Sequence, residues 1–258
     1  MSLSGLFVNK TAFMPYICCG DPNEEFTLKL IATLAENGAD AIELGIPFSD
    51  PIADGKTIQA ASTRALTNGM TPEKAIAMIS KIRKCEIQIP IIVMTYYNLI
   101  YSNGLEKFVK RIKDAGADGL IVPDVPFEES EELYGICKGH EIDLVRFITP
   151  NMSDERLEKI ANKANGFLYA VSVIGTTGTR EQIAPEAIEL VKRIKKMTTI
   201  PVVAGFGISM PEQATAFANA GADGIIIGSK LVEIYSEDDI TKVAQFVRMM
   251  KKALDKGG

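Results

Sequence analysis

Short, nearly uninterrupted apolar runs alternate along this chain with longer segments in which apolar residues return every three or four positions. Four of the runs are AFMPYICC (12–19), IPIIVMTY (89–96), LVRFITP (144–150) and IPVVAGFG (200–207). Four more contain or directly follow a glycine: GADAIELG (38–45), GADGLIVPD (116–124), NGFLYAVS (165–172) and GADGIIIG (221–228). That glycine suits the left-handed position that closes a helix, and the apolar residues after it suit a strand buried on both faces. The intervening segments have helical periodicity and recognisable starts. Asp21-Pro22 is placed to cap a helix turning Leu30, Ile31, Leu34 and Ala35 toward a sheet. Thr71-Pro72 is placed to start one carrying Ile76, Ile79 and Ile82. Ser209-Met210-Pro211-Glu212 has the spacing of a capping box, with proline tolerated in the first turn.

About eight strand–helix units without a linker or low-complexity break predict an α/β fold, a (β/α)8 TIM barrel with extra short helices. The barrel is expected to occupy residues 1–258 as one domain, a usual size for this architecture. A doubly wound open sheet is the alternative, but no G-x-G-x-x-G follows the first strand.

Composition narrows the function. The 258 residues are 47% hydrophobic and 24% charged with a net charge of −5, and no Lys/Arg cluster stands out, which argues against nucleic-acid binding. The four cysteines, Cys18, Cys19, Cys85 and Cys137, show neither a paired framework nor metal-binding spacing. Reduced thiols and a cytoplasmic location are expected, with no metal and no membrane segment. The start MSLSGLFVNK lacks the apolar core of a signal peptide. The one histidine, His140, sits in polar KGHEID and reads as a surface helix end. Acid–base chemistry therefore falls to carboxylates.

ELGIPFSDPIADG (43–55) supplies them. Alternation along the second strand turns Ile42 and Leu44 to the helices and Ala41, Glu43 and Gly45 to the barrel interior. Glu43 would then be a desolvated carboxylate at the mouth, with a raised pKa suited to proton transfer near neutrality. The competing reading is a structural glutamate satisfied by backbone donors or by a distant Lys or Arg. Asp54 lies in the loop after the same strand; alone, an Asp-Gly is a turn, but its neighbourhood with Glu43 favours a chemical role. Ser49 and Asp50, before Pro51, read as turn formers. VIGTTGT (173–179), AGFGIS (204–209) and IIGSKLV (226–232) close the last three strands, where barrels of this class bind phosphate through backbone N–H groups. Ser229 would add a hydroxyl, and a helix beginning near Lys230 would aim its positive end at the anion.

The stretch ELGIPFSDPIADGKTIQAA (43–61) resembles the signature of the tryptophan synthase alpha chain family. GDP (20–22), YYN (96–98), PDVPFEES (123–130), GTTG (175–178), GFGIS (205–209) and GADGIIIGS (221–229) match in order. The resemblance implies retro-aldol cleavage of indole-3-glycerol phosphate to indole and glyceraldehyde 3-phosphate, a carbon–carbon lyase activity. It puts the catalytic carboxylates at Glu43 and Asp54. Tyr16 and Tyr169 would line the indole or glycerol region, and Thr177, Gly178, Gly207, Gly228 and Ser229 would complete the substrate site and hold phosphate. It implies no cofactor in this chain and a pyridoxal-phosphate β chain as partner in an α2β2 heterotetramer, docked on the face of loops 46–56 and 123–130. Lys56 stands where the family commonly has proline, and Val173 where some members carry arginine. Two rival readings are another phosphate-binding barrel enzyme, such as an indole-glycerol-phosphate synthase or a sugar-phosphate isomerase, and a catalytically idle barrel that binds and activates a β chain.

Overall fold

The computed structural model describes residues 3–171, 185–237 and 239–255, and within them each apolar run named above forms a strand. The strands are β1 (Ala12–Cys18), β2 (Ile42–Gly45), β3 (Ile91–Met94), β4 (Gly119–Ile121), β5 (Asp143–Leu144), β6 (Arg146–Ile148), β7 (Leu168–Val171), β8 (Val202–Gly205) and β9 (Gly224–Ile227). All neighbours are parallel, in the order β5-β4-β3-β2-β1-β9-β8-β7-β6. The two ends of that order, β5 and β6, flank the single residue Val145, whose N–H still bonds Leu120 at 3.0 Å. They are two halves of one stave, the first paired with β4 and the second with β7, so the sheet closes on itself. The described strands thus make eight staves, as the apolar runs predict.

The glycines at 38, 116, 166 and 221 have φ of 109°, 104°, 70° and 98°, the left-handed conformation expected just before each of these strands. Two helix starts differ from expectation. Asn23, not Asp21, caps the helix Glu24–Glu36, accepting from Phe26 N–H at 2.8 Å. Asp21 is buried and instead receives two hydrogen bonds of 2.7 Å from Arg64 of the helix Lys56–Thr67. A two-pronged guanidinium is the stronger partner for a buried carboxylate, so it takes the group a cap would have used. At the other site Met210, not Ser209, is the cap of Pro211–Asn219. The Gln213 carboxamide oxygen reaches back to the N–H groups of Ser209 and Met210, at 2.8 and 3.1 Å, in place of Glu212. The box is displaced by one residue. Thr71 caps Pro72–Lys84 as predicted, and His140 caps the end of Glu131–Gly139 on the surface side.

The N-terminal end of the barrel is plugged. A single 3-10 turn, Leu3–Phe7, buries Leu3, Leu6 and Phe7 beneath the strand starts, and Phe7 meets Phe167 edge-on at 5.8 Å. Around this end the aspartate of each G-A-D triplet performs the same task. Asp40 accepts from Phe13 N–H at 2.8 Å, Asp118 from Ile91 N–H at 3.0 Å and Asp223 from Val202 N–H at 2.7 Å. In return the N–H of Asp40, Asp118 and Asp223 bonds the carbonyl of the same residue on the preceding stave. Each carboxylate also meets a cation: Lys251 at 3.0 Å, Arg83 at 2.8 Å and Lys195 at 2.7 Å respectively. These reciprocal clasps satisfy the first, otherwise unpaired donors of the staves and fix their register. These clasps lie at the end of the barrel opposite its C-terminal mouth.

Arg83 shows the cost of losing one clasp. Beyond Asp118 it bonds the carbonyls of Gly116, Ile87 and Ile89, tying helix Pro72–Lys84 to two staves. Asp118→Ala leaves a largely buried guanidinium without its counter-charge and the Ile91 N–H without its acceptor. It is expected to lower the free energy of unfolding in urea by about 2–4 kcal/mol. A loss below about 0.5 kcal/mol, the range of an ordinary surface change, would show that the clasps are ornamental.

Candidate active site

Alternation along β2 places Glu43 on the interior of the barrel. Its Cα partner on β1 is Tyr16 and on β3 is Ile92. The carboxyl is buried, only 4% exposed, and no ion pair is made to it by the described residues. Among the described residues its hydrogen-bond partner is the Tyr169 hydroxyl, which reaches across from β7 and donates to Oε2 at 3.5 Å, a long bond. Burial, with the nearby Asp54 charge adding to it, pushes the carboxyl up to about 8, and the tyrosine offsets only part of this.

Two tyrosines enclose the carboxyl, and two glycines make room for them. A Cβ at Gly45 would collide with the Tyr16 ring and hydroxyl, and one at Gly205 with the ring of Tyr169. Each ring leans over the adjacent stave where that stave has no side chain. Tyr169 is also stacked on Phe147 of β6, with centroids 5.2 Å apart. Both phenols are held well above their ordinary range, burial being the main cause, and remain neutral hydrogen-bonding groups.

Asp54 stands in the loop between β2 and the helix Lys56–Thr67, and is buried at 5% exposed. Burial raises it to about 6, against a hydrogen bond from Tyr96 that favours the charged form. Tyr96 follows β3. Its hydroxyl accepts the N–H of Ala53 at 3.1 Å while serving Asp54, and its ring stacks on Phe48 of the same loop at 5.3 Å. One residue therefore fixes both the backbone and the side chain of the acidic loop. Sequence reasoning quoted Tyr96 within YYN and gave it no role; the signal available was an aromatic directly after a strand, on the mouth of the barrel. Ser49 and Asp50 are exposed and bond one another at 2.6 Å, as turn formers do. Lys56 is exposed at the start of its helix.

The remaining expected residues share this face. Gly207 follows β8 and Gly228 follows β9, where Gly228 lies against Tyr16 and Ile58. Ser229 is buried at the start of the helix Ser229–Tyr235. Thr177, Gly178 and Val173 lie outside the described residues. Among those described, no group of three or more His, Cys, Asp or Glu is placed to hold a metal ion, and no helix is long and apolar enough to cross a membrane.

The chain as a whole has counterparts among known proteins. The family model described as tryptophan synthase alpha chain matches residues 6–256. A tryptophan synthase alpha chain of Halalkalibacterium halodurans is 48% identical over 228 residues, 88% of this chain and 85% of that one. A structure of Mycobacterium tuberculosis tryptophan synthase superposes with a TM-score of 0.91 at 32% identity, covering 98% of this chain and 97% of that chain. One of the tryptophan synthase α2β2 complex of Pyrococcus furiosus gives 0.88 at 40% identity, covering 93% and 98%. With the fold and nearly the whole length in agreement, the chain belongs to the tryptophan synthase alpha chain family.

Proposed function

We propose that this chain cleaves indole-3-glycerol phosphate to indole and glyceraldehyde 3-phosphate, with Glu43 and Asp54 as its catalytic residues. The observation that supports this most directly is the pair of unequal buried acids: one raised to about 8 and so protonated at neutral pH, the other raised only to about 6 and so ionised. Environments that split two carboxyls in this way assign the acid and the charge-stabilising partner.

The chemistry follows from that split. Glu43 gives its proton to indole C3, and the ring becomes an iminium whose positive charge lies largely on nitrogen. Asp54, ionised, accepts a hydrogen bond from the indole N–H and stabilises that charge. The Glu43 carboxylate then takes the proton of the glycerol hydroxyl next to the breaking bond. The hydroxyl carbon becomes the aldehyde carbon, the C–C electron pair returns to the ring, and Glu43 is left protonated as it began. Tyr169 keeps the Glu43 carboxyl in place, and Tyr16 with Tyr169 forms the walls against which a flat heterocycle packs. Gly207, Gly228 and Ser229, with Thr177 and Gly178, are the residues proposed to hold the phosphate. No step calls on a cofactor in this chain.

Indole would pass to a cytoplasmic partner, the pyridoxal-phosphate β chain, in an α2β2 assembly like that of the Pyrococcus relative. Ile52 is 76% exposed in the same loop as Asp54, and Tyr101 is 67% exposed on the helix after β3. A partner covering Ile52 would press on the segment that carries Asp54 and exclude water from it.

Four outcomes are expected. Glu43→Gln abolishes indole release while substrate still binds, since the amide keeps the shape and loses the proton; unchanged turnover removes the glutamate from the mechanism. Asp54→Ala slows release by roughly a hundredfold or more, and a change below about threefold leaves Asp54 a turn residue. Both are read with and without a cognate β chain, and absence of indole in both assays for the natural sequence would mark an idle barrel. The pH profile of kcat/KM is a bell. It falls below about 6 as Asp54 gains a proton and above about 8 as Glu43 loses one. Tyr96→Phe moves the acid limb upward, because the ionised Asp54 loses a donor; an unmoved limb would detach Tyr96 from Asp54.

A further inference from the structure

Asp21 is a third buried carboxylate at the mouth, and the reaction above gives it no task. It follows β1 and is 1% exposed. Where Glu43 has no cation, Asp21 is held by three donors. Arg64, on the helix Lys56–Thr67, brings Nε to Oδ1 and Nη2 to Oδ2, each at 2.7 Å. The fully buried Tyr235, at the end of the helix Ser229–Tyr235, donates its hydroxyl to the same carboxylate and accepts the Cys18 N–H at 3.3 Å. One side chain therefore ties two helices to the end of β1.

Those helices begin at opposite ends of the substrate site proposed above. The first starts just after Asp54, and its Gln59 donates to the Asp54 carbonyl at 2.8 Å. The second starts at Ser229, and Ile58 of the first packs against the Gly228 that precedes it. Asp54 and Ser229 are thus spaced by a closed ring of contacts: Ile58 against Gly228 near the site, and Arg64–Asp21–Tyr235 farther along both helices. A two-pronged guanidinium pair fixes orientation as well as distance. A substrate held at its ring nitrogen by Asp54 and at its phosphate by Gly228 and Ser229 has its reacting carbons in between. Misplacing them by about 1 Å costs on the order of a hundredfold in rate.

We propose that Asp21, Arg64 and Tyr235 are positioning residues that set the separation of Asp54 from Ser229, and so fit the site to one length of chain between ring and phosphate. This role rests on the site assignment proposed above.

Two probes that lack the hydroxyls needed for cleavage, 3-(indol-3-yl)propyl phosphate and its butyl homologue, separate spacing from chemistry. By calorimetry on the full chain, the propyl probe is expected to bind about tenfold or more tighter than the butyl, the scale of one methylene in a fitted pocket. Tyr235→Phe removes one hydroxyl and keeps the ring. It is expected to cut that preference about fivefold or more, the scale of one buried hydrogen bond. Indole and glycerol 3-phosphate, each touching one end only, are expected to bind the variant as they bind the natural sequence. Arg64→Lys keeps the charge and loses the fork on a partly exposed side chain, and it is read in the same way if Tyr235→Phe does not fold. Failure of both probes to bind the natural sequence overturns the site assignment and this role with it. Binding without a length preference, a preference kept in the variant, or glycerol 3-phosphate affinity lost with the hydroxyl overturns the spacing role alone.

Discussion

The protein is organised around a carboxyl that has been taken out of water without a counter-charge. An ionised glutamate in a dry interior costs several kcal/mol unless it is paired or protonated, and Glu43 has no cation among the described residues. A raised pKa is the response, and it suits the role proposed for the group: a carboxylic acid that holds its proton at neutral pH can protonate carbon. The features around it act to preserve that condition. Gly45 and Gly205 admit the two rings that exclude solvent, and Tyr169 supplies a long, weak bond that positions the acid without ionising it. A shorter or second donor would pull the pKa back toward the ordinary carboxylate range and remove the acid from service.

Such a mouth is tolerable because the opposite end is overdetermined. The clasps made by Asp40, Asp118 and Asp223, and the plug of Leu3, Leu6 and Phe7, fix the register of the staves where no substrate arrives. Strand register at one end dictates which residues point inward at the other, so the interior placement of Glu43 is set some residues before β2 reaches it. Acidic residues thus do opposite work at the two ends of the barrel. At the closed end they are paired with cations and backbone donors; at the open end they are left to titrate.

Sequence reading reached the features governed by local rules. The four helix-closing glycines, the run-by-run strands and the parity that turns Glu43 inward all follow from φ preference and from the period of two in a strand. It failed where a local rule competed with a distant partner. Asp21 has the residue type of a cap, but Arg64, 43 positions away, claims it, and Asn23 takes over. Ser209 has the right type and spacing, yet the longer reach of Gln213 sets the box one residue on. Tyr96 was hidden for a related reason: it sits in a stretch already explained as strand and motif, and its partners Phe48, Ala53 and Asp54 lie more than forty positions away. The apolar triplet of the N-terminal plug, with its three- and four-residue spacing, was present in the sequence but too short to separate from a loop.

Glu43 and Arg146 form an instructive contrast. Both are buried ionisable groups, Glu43 on β2 facing the barrel interior and Arg146, 5% exposed, on β6 packed outward on Phe127 and Tyr134, and they are linked through Tyr169 and its stack on Phe147, the residue next to Arg146. Desolvation disfavours the charged form of each, but only one can respond from within. Glutamate takes up a proton within the range a cell maintains, so its isolation becomes a chemical capability. Arginine stays charged at any such pH; the faces of Phe127 and Tyr134 and the Ser130 hydroxyl soften its burial, and two of its donors lack acceptors among the described residues. The same physical penalty, applied to groups of opposite sign, therefore raises the pKa of the one into a titratable range and leaves the other a fixed charge.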